Sequence, residues 1–179
     1  INNAGLLHNG PFCELSLTQQ EAMITVNVLA LTSLTHLFAN DMAARKTGHI
    51  LNIASVAAWT PIPNQNIYAA TKAYVLAFSQ ALTDEMNAAG NGVIVSVLCP
   101  GYTATKMMDN PDQGATLRIP ANMMMSPKDV ANQGIVGCLS GQHTIVPGIS
   151  NKLGTAITHL ATKMSLAKLL GRFYRKNMN

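Results

Sequence analysis

The chain has 179 residues, 48% hydrophobic and only 11% charged, which suits one domain with a true core and is too short for two. That composition argues against a disordered chain. The lack of any run of about 18 apolar residues argues against a membrane span. Cys13, Cys99 and Cys138 are scattered, without a CxxC pair, and the five histidines lack ligand spacing, so neither a disulfide frame nor a metal site is expected, and reduced thiols point to the cytoplasm.

The opening INNAGLL has no Met, leader or charged n-region; it reads as a strand end running into an Asn-Ala-Gly turn, within a longer polypeptide. Thr18-Gln-Gln-Glu21 has capping-box spacing. Met23, Val26, Leu29 or Ala30, Leu34, Leu37 and Phe38 then recur at helical intervals, predicting a helix to about Arg45. Gly48 ends it, and His49 to Ala54 is a short apolar strand. After Pro61 and Pro63 a second helical pattern runs through Ile67, Ala70, Tyr74, Ala77 or Phe78, Ala81 and Leu82 to Gly90 and Gly92. Val93 to Leu98 reads as a strand covered on both faces. Residues 100–125 form a long irregular stretch, expected to be a lid. Ser126-Pro127-Lys-Asp129 opens another helix with Ser at the N-cap and Pro at N1, and Thr144 to Val146 is a short last strand. Buried strands alternating with helices predict right-handed crossovers and a parallel sheet.

From Thr47 to Thr83, Lys72 is the one fully charged residue in 37, and Tyr68 stands one helical turn before it. At i and i+4 the two share a face, where an ammonium is expected to pull the phenol below its usual pKa of about 10 and fit it for proton exchange. The plainer alternative is a packed tyrosine beside a snorkelling lysine. Ser55 ends the HILNIA strand, where open parallel sheets bind ligands; otherwise it caps a turn. Asn27 interrupts an apolar helix, either as a satisfied core amide or as part of a site. Pro100-Gly101 closes the VIVSVL strand, next to a ligand or as an ordinary turn.

Together these residues resemble the short-chain dehydrogenase/reductase family from residue 2 to about Gly148. The NNAG turn is Asn2-Asn3-Ala4-Gly5, the helix asparagine Asn27, the serine Ser55 stands 13 residues before Tyr68, YxxxK is Tyr68 and Lys72, and PGxxxT is Pro100-Gly101 through Thr105. The resemblance implies an α/β fold: a Rossmann-type doubly wound parallel sheet in three α/β/α layers, lacking here the N-terminal βαβ portion with the glycine-rich pyrophosphate turn. It implies a catalytic set of Asn27, Ser55, Tyr68 and Lys72. Tyr68 would protonate a carbonyl oxygen held by Ser55, while Lys72 tunes Tyr68 and bonds the nicotinamide ribose, and Asn27 positions a relay water. Asn3, Ala4, Gly5, Tyr68, Lys72, Pro100, Gly101, Thr103 and Thr105 would line the coenzyme. The prevalence of reductases in the family puts NADP(H) ahead of NAD(H), and its long helices imply a homodimer or homotetramer. An epimerase or dehydratase relative would share YxxxK, but the Ser55 spacing and PGxxxT fit reductases better.

The expected substrate is a hydrophobic carbonyl or alcohol such as a 3-oxoacyl chain or steroid-like ketone, against a wall of Met107, Met108, Met123, Met124 and Met125; the other reading has these methionines cover the core. The alternative from another class is a truncated, non-catalytic chain acting as a binding or scaffold module. The expected division is 1–148 for the catalytic domain and 149–179 for a basic amphipathic helical tail. After Asp129 no acid occurs, while Lys152, Lys163, Lys168, Arg172, Arg175 and Lys176 follow, within a net charge of +4. Leu166, Leu169, Leu170 and Phe173 mark the tail's apolar face. It docks on its own domain or a neighbouring subunit, or it meets an anionic membrane surface or an acyl-carrier partner. Nothing interleaves aromatic and basic residues as a nucleic-acid surface would.

Overall fold

The computed structural model describes residues 1–107, 114 and 119–177. Helix α1 (Leu17–Ile24) runs through a π-helical segment (Thr25–Ala30) into α2 (Leu31–Ala44). Strand β1 (Gly48–Ile53) follows, then a 3-10 turn (Val56–Trp59), helix α3 (Asn66–Ala89) and strand β2 (Val93–Leu98). Helix α4 (Pro127–Leu139), strand β3 (Thr144–Ile145), α5 (Ile149–Thr158) and α6 (Lys163–Asn177) complete the chain. The strands are parallel in the order β1-β2-β3. Asn2 adds a parallel bridge outside β1: its N–H donates to the Leu51 carbonyl (2.9 Å), and Ile53 N–H donates to its own (3.2 Å).

Alternation along the strands divides the core. Ile50, Val93, Val95 and Val97 pack under α2 and α3, and Leu51 and Leu98 pack with Val130 and Cys138 of α4. With helices on both faces, this is the Rossmann-type α/β arrangement expected from the sequence.

Three local details differ from expectation. The first helix is capped by Ser16, not Thr18: Gln19 N–H donates to Ser16 Oγ and Ser16 N–H to Gln19 Oε1, both at 3.2 Å, because Ser16 has the extended backbone a cap requires and Thr18 already lies within the helix. The buried line of helix 17–44 is Met23, Asn27, Leu31, Thr35 and Ala39, while Leu29, Leu34, Leu37 and Phe38 face outward. In α3, Ala69, Lys72, Val75, Leu76, Ser79 and Thr83 are buried and Tyr74 is exposed, stacked on Phe78 at 5.7 Å. The residues that mark the helical periodicity therefore lie on both sides: Met23 is buried and Phe78 and Leu82 pack on the core, while Leu29, Leu34, Leu37, Phe38 and Tyr74 are exposed. By length and composition helix 17–44 is also apolar enough to cross a membrane, despite lacking an unbroken apolar run. Here one side of it packs on the domain instead.

What orients that side is polar. Asn2 Nδ2 donates to Asn52 Oδ1 (2.7 Å) and to Thr35 Oγ1 (3.0 Å), and Asn52 Nδ2 donates to Ser79 Oγ (3.0 Å). Thr83 Oγ1 reaches Val95 O at 3.0 Å. Strand, α2 and α3 are thus joined through buried side chains that must all be satisfied together.

The turns at the far end of the sheet are tight. Gly90 (φ 58°) and Gly92 (φ 72°) both use the left-handed region. A Cβ on Gly90 would meet nothing within 4 Å, whereas on Gly92 it would run into the Lys46 backbone carbonyl. Gly90→Ala is therefore expected to cost about 1 kcal/mol, the left-handed penalty alone, and Gly92→Ala about 3 kcal/mol or more. Urea denaturation of both variants checks the ranking.

Candidate active site

The β1–β2 ladder continues past its strand ends. Ala54 N–H donates to Leu98 O (2.8 Å) and Val56 N–H to Pro100 O (2.9 Å), so Ser55 and Pro100 lie side by side at the carboxyl edge of the sheet. Ser55 has extended backbone and caps the 3-10 turn by accepting from Ala57 N–H (3.1 Å). Its hydroxyl donates to the Pro100 carbonyl (3.4 Å) and stands near the Tyr68 phenol, which α3 presents from its first turn.

One turn further, Lys72 is buried. Its Nζ donates to the Ile53 carbonyl at 2.9 Å and lies 5.7 Å from the centre of the Tyr68 ring. The carbonyl dipole offsets only part of the cost of burying the ammonium. Burial lowers the Lys72 pKa to about 8, opposed by neighbouring Cys99, whose own thiol burial pushes up to about 12. Tyr68 moves the other way from the sequence expectation. Burial raises its pKa above 10.0, the adjacent Ser55 hydroxyl opposes this, and nearby Tyr102 adds to it. Desolvation of the phenolate outweighs any pull from the ammonium, whose hydrogen bond is spent on the strand carbonyl rather than on the phenol.

Asn27, fully buried, sits in the π-helical segment. Its Oδ1 accepts from Leu6 N–H (2.8 Å), and its Nδ2 donates to Leu6 O (2.9 Å) and Thr71 Oγ1 (3.1 Å). It closes the NNAG turn as a backbone strand would. A Cβ on Gly5 would lie 3.4 Å from Asn27 Oδ1 and 3.5 Å from Lys72 Nζ, so the turn, Asn27 and Lys72 form one cluster, with Asn3 and Ala4 exposed at its rim.

Beside this cluster lies a cavity of about 440 Å³, within the range of small-molecule sites. Ser55, Tyr68, Pro100, Gly101, Thr103 and Thr105 line it. Asn27, Lys72 and Asn3 to Gly5 stand behind that lining. Gly101 has no room for a side chain because the Asn151 amide of α5 occupies the place a Cβ would take. Of the methionines expected as a wall, Met107 and Met123 reach the cavity, Met124 packs by Tyr68 and Tyr102, and Met125 packs on the α4 side of the sheet. Met108 lies outside the described residues.

Sequence reasoning missed the far wall, built by α6. Leu170, Phe173 and Tyr174 line the cavity, and Tyr174 OH meets Tyr102 OH at 2.8 Å. Burial raises the pKa of both phenols. The i, i+4 pair Leu170 and Tyr174 carried the signal, but the apolar face assigned to this helix included Leu169, which is exposed. Lys163 Nζ donates to Trp59 O (2.6 Å), and Gly171 lies against Pro63, so α6 is docked on its own domain.

Residues 1–115 match the family model described as short chain dehydrogenase. Across 93% of its length the chain is 34% identical to a ketoacyl reductase, HetN, from Nostoc sp., covering 55% of that protein. Across 60% it is 39% identical to the very-long-chain 3-oxoacyl-CoA reductase of Bos taurus, covering 35%. A short-chain dehydrogenase from Sphingobium yanoikuyae, solved in complex with NADPH, has a TM-score of 0.72 and 29% identity, over 89% of this chain and 62% of that one. The chain spans about half the length of the curated relatives it matches.

The buried ammonium makes a pH prediction. The folded-state pKa of Lys72 is about 8 against an ordinary 10.5, so between these values the unfolded chain binds the extra proton. The destabilisation from Lys72 is full below the lower value and is relieved as pH rises toward the higher one. Relative to Lys72→Met, the unsubstituted protein is expected to gain about 2 kcal/mol between about pH 7.5 and about pH 9.5. Paired urea titrations across that window measure it.

Proposed function

The chain belongs to the short-chain dehydrogenase/reductase family, and on that premise we propose that it forms the catalytic half of a nicotinamide-dependent carbonyl reductase acting on hydrophobic ketones. The observation carrying this reading is Tyr68 lining an apolar cavity together with Ser55, with the buried Lys72 ammonium one turn behind.

The residues suit the nicotinamide end of a dinucleotide. Among the described residues, the Ile53 carbonyl is the one hydrogen-bond acceptor for Lys72 Nζ, which spends one of its three N–H groups there. The remaining donors suit the hydroxyls of a ribose. The Gly5 backbone adjoins that nitrogen, and Asn3 and Ala4 are exposed beside it. Lys72, Asn3 to Gly5 and the Pro100–Thr105 segment are the residues we assign to holding the coenzyme; when bound it supplies the hydride. We favour NADP(H), on the likeness to the NADPH-bound neighbour.

Tyr68, its pKa raised by burial, holds its proton at neutral pH, the form that donates to a carbonyl oxygen during reduction. Ser55 donates to that same oxygen and fixes it beside the phenol. Lys72, with its pKa near 8, keeps most of its charge at neutral pH and stabilises the phenolate left behind. Asn27 positions the NNAG turn. We extend its role to positioning a water of the proton relay.

The cavity selects for apolar substrates: Leu7, Ile62, Met107, Met123, Leu170 and Phe173 supply much of its wall. A 3-oxoacyl chain fits this lining better than a sugar does, consistent with relatives that are a ketoacyl reductase and a 3-oxoacyl-CoA reductase. The outward apolar faces of α2 and α3, with Leu37, Phe38 and Tyr74 exposed, support a homodimer or homotetramer. Three free thiols support a reducing, cytoplasmic setting.

Tyr68→Phe in the full-length protein is expected to lower kcat for a hydrophobic ketone by at least about 10²-fold while changing coenzyme affinity less than about twofold. Turnover measured beside coenzyme titration separates the two, and near-normal turnover would remove Tyr68 as the proton donor.

A further inference from the structure

Helix α5 is reversed relative to an ordinary surface helix. Its buried residue is Thr155, with Asn151 and Thr158 half-buried beside it. Ile149, Leu153 and Ile157, at i, i+4 and i+8, form its outward stripe at 77%, 61% and 60% exposure. The stripe continues through Leu160 (88%) at the turn and Met164 (66%) in the first turn of α6. An amphipathic helix on a globular domain normally turns its apolar side down.

The orientation is locked by the polar side. Asn151 Nδ2 donates to Pro147 O (2.8 Å), and its amide fills the space beside Gly101 at the edge of the cavity. Rotating α5 to bury Leu153 and Ile157 would withdraw Asn151 from Gly101 and disturb the candidate active site.

The stretch of chain that carries the stripe has charge of a single sign. Residues 130–179 contain six Lys and Arg residues and no acid. On α6, Lys168, Arg172 and Arg175 are exposed, away from the buried Tyr174. An aliphatic stripe flanked by cations matches the interface of an anionic bilayer, where side chains enter the acyl boundary and ammonium and guanidinium groups meet lipid phosphates. A second copy fits poorly, because this surface against itself would oppose cations with no acid to pair them. An acidic soluble protein would answer the cations but leave five exposed aliphatic residues unexplained.

We propose that α5 and α6 form a docking surface for an anionic lipid membrane, with the chain lying on the bilayer and not spanning it. Leu170 and Phe173 of the same helix wall the cavity, so docking sets the cavity beside the phase in which a hydrophobic ketone dissolves. That second consequence rests on the reductase reading; the docking itself does not.

The test is co-sedimentation of the full-length protein with vesicles of phosphatidylcholine alone or with about 30 mol% phosphatidylserine. Binding is expected on the anionic vesicles only, weakening as salt rises. Leu153→Ser with Ile157→Ser, and separately Lys168→Glu with Arg172→Glu, are each expected to lower the association constant at least about tenfold. All four positions are exposed, and circular dichroism checks that the variants fold. Equal binding to neutral and anionic vesicles, or binding that survives both double variants, overturns the proposal. Loss of a dimer in the Leu153→Ser, Ile157→Ser variant without vesicle binding assigns the face to a second copy and overturns it too. Capture of an acidic carrier protein without vesicle binding does the same. Turnover of a soluble ketone, measured in parallel, reports separately on the reductase reading.

Discussion

A buried amide cannot be left half satisfied, and those of Asn27 and Asn52, with half-buried Asn2, decide where the long helices lie. Asn2 and Asn52 tie the sheet edge to Thr35 of α2 and Ser79 of α3, and Asn27 binds both backbone groups of Leu6. Hydrophobic contact alone would permit either face of helix 17–44 to turn inward, since its outer face carries Leu29, Leu34, Leu37 and Phe38. Leaving any of these amides without a partner costs roughly 1–3 kcal/mol per group, and directionality makes only one rotation acceptable. The catalytic candidates inherit that choice. Lys72 faces Ile53 because α3 is turned so that Ser79 meets Asn52.

This explains what the sequence made legible. Strand positions, crossovers and the Ser55–Tyr68–Lys72 spacing follow from local chemistry: apolar runs, glycine stops, a fixed helical rise. The buried face of helix 17–44 did not, because periodicity counts apolar residues and its outer face, with Leu29, Leu34, Leu37 and Phe38, is rich in them too. Nor did the direction of the Tyr68 shift. Proximity to an ammonium is visible in YxxxK, but the depth of burial that outweighs it depends on Tyr102 and on α6, remote in sequence. The Tyr102–Tyr174 pair was equally hidden, joining residues 72 positions apart.

The site has a division of labour. Groups facing the cavity, Ser55 and Tyr68, sit where two ladders end and a helix begins, so their backbones are held on two sides. Lys72 and Asn27 act from behind, each bonded to a main-chain carbonyl of the sheet edge or NNAG turn. The C-terminal helices contribute shape instead: α6 closes the apolar wall and α5 places Asn151 against Gly101. In the proposed reading, substrate preference and proton chemistry are therefore carried by different stretches of chain.

The π-helical segment has a geometrical consequence. Met23, Asn27, Leu31, Thr35 and Ala39 recur every fourth residue, and in a regular α-helix of 3.6 residues per turn such a row drifts by about 40° at each step. The wider turn between Thr25 and Ala30 takes back part of that winding, keeping the row closer to one line facing the sheet. The segment works as a phase corrector between two helical halves. Closing the segment into a regular α-helix at the same length would put the two halves out of step by about 100°, one keeping Met23 beneath it and the other swinging Thr35 away from Asn2.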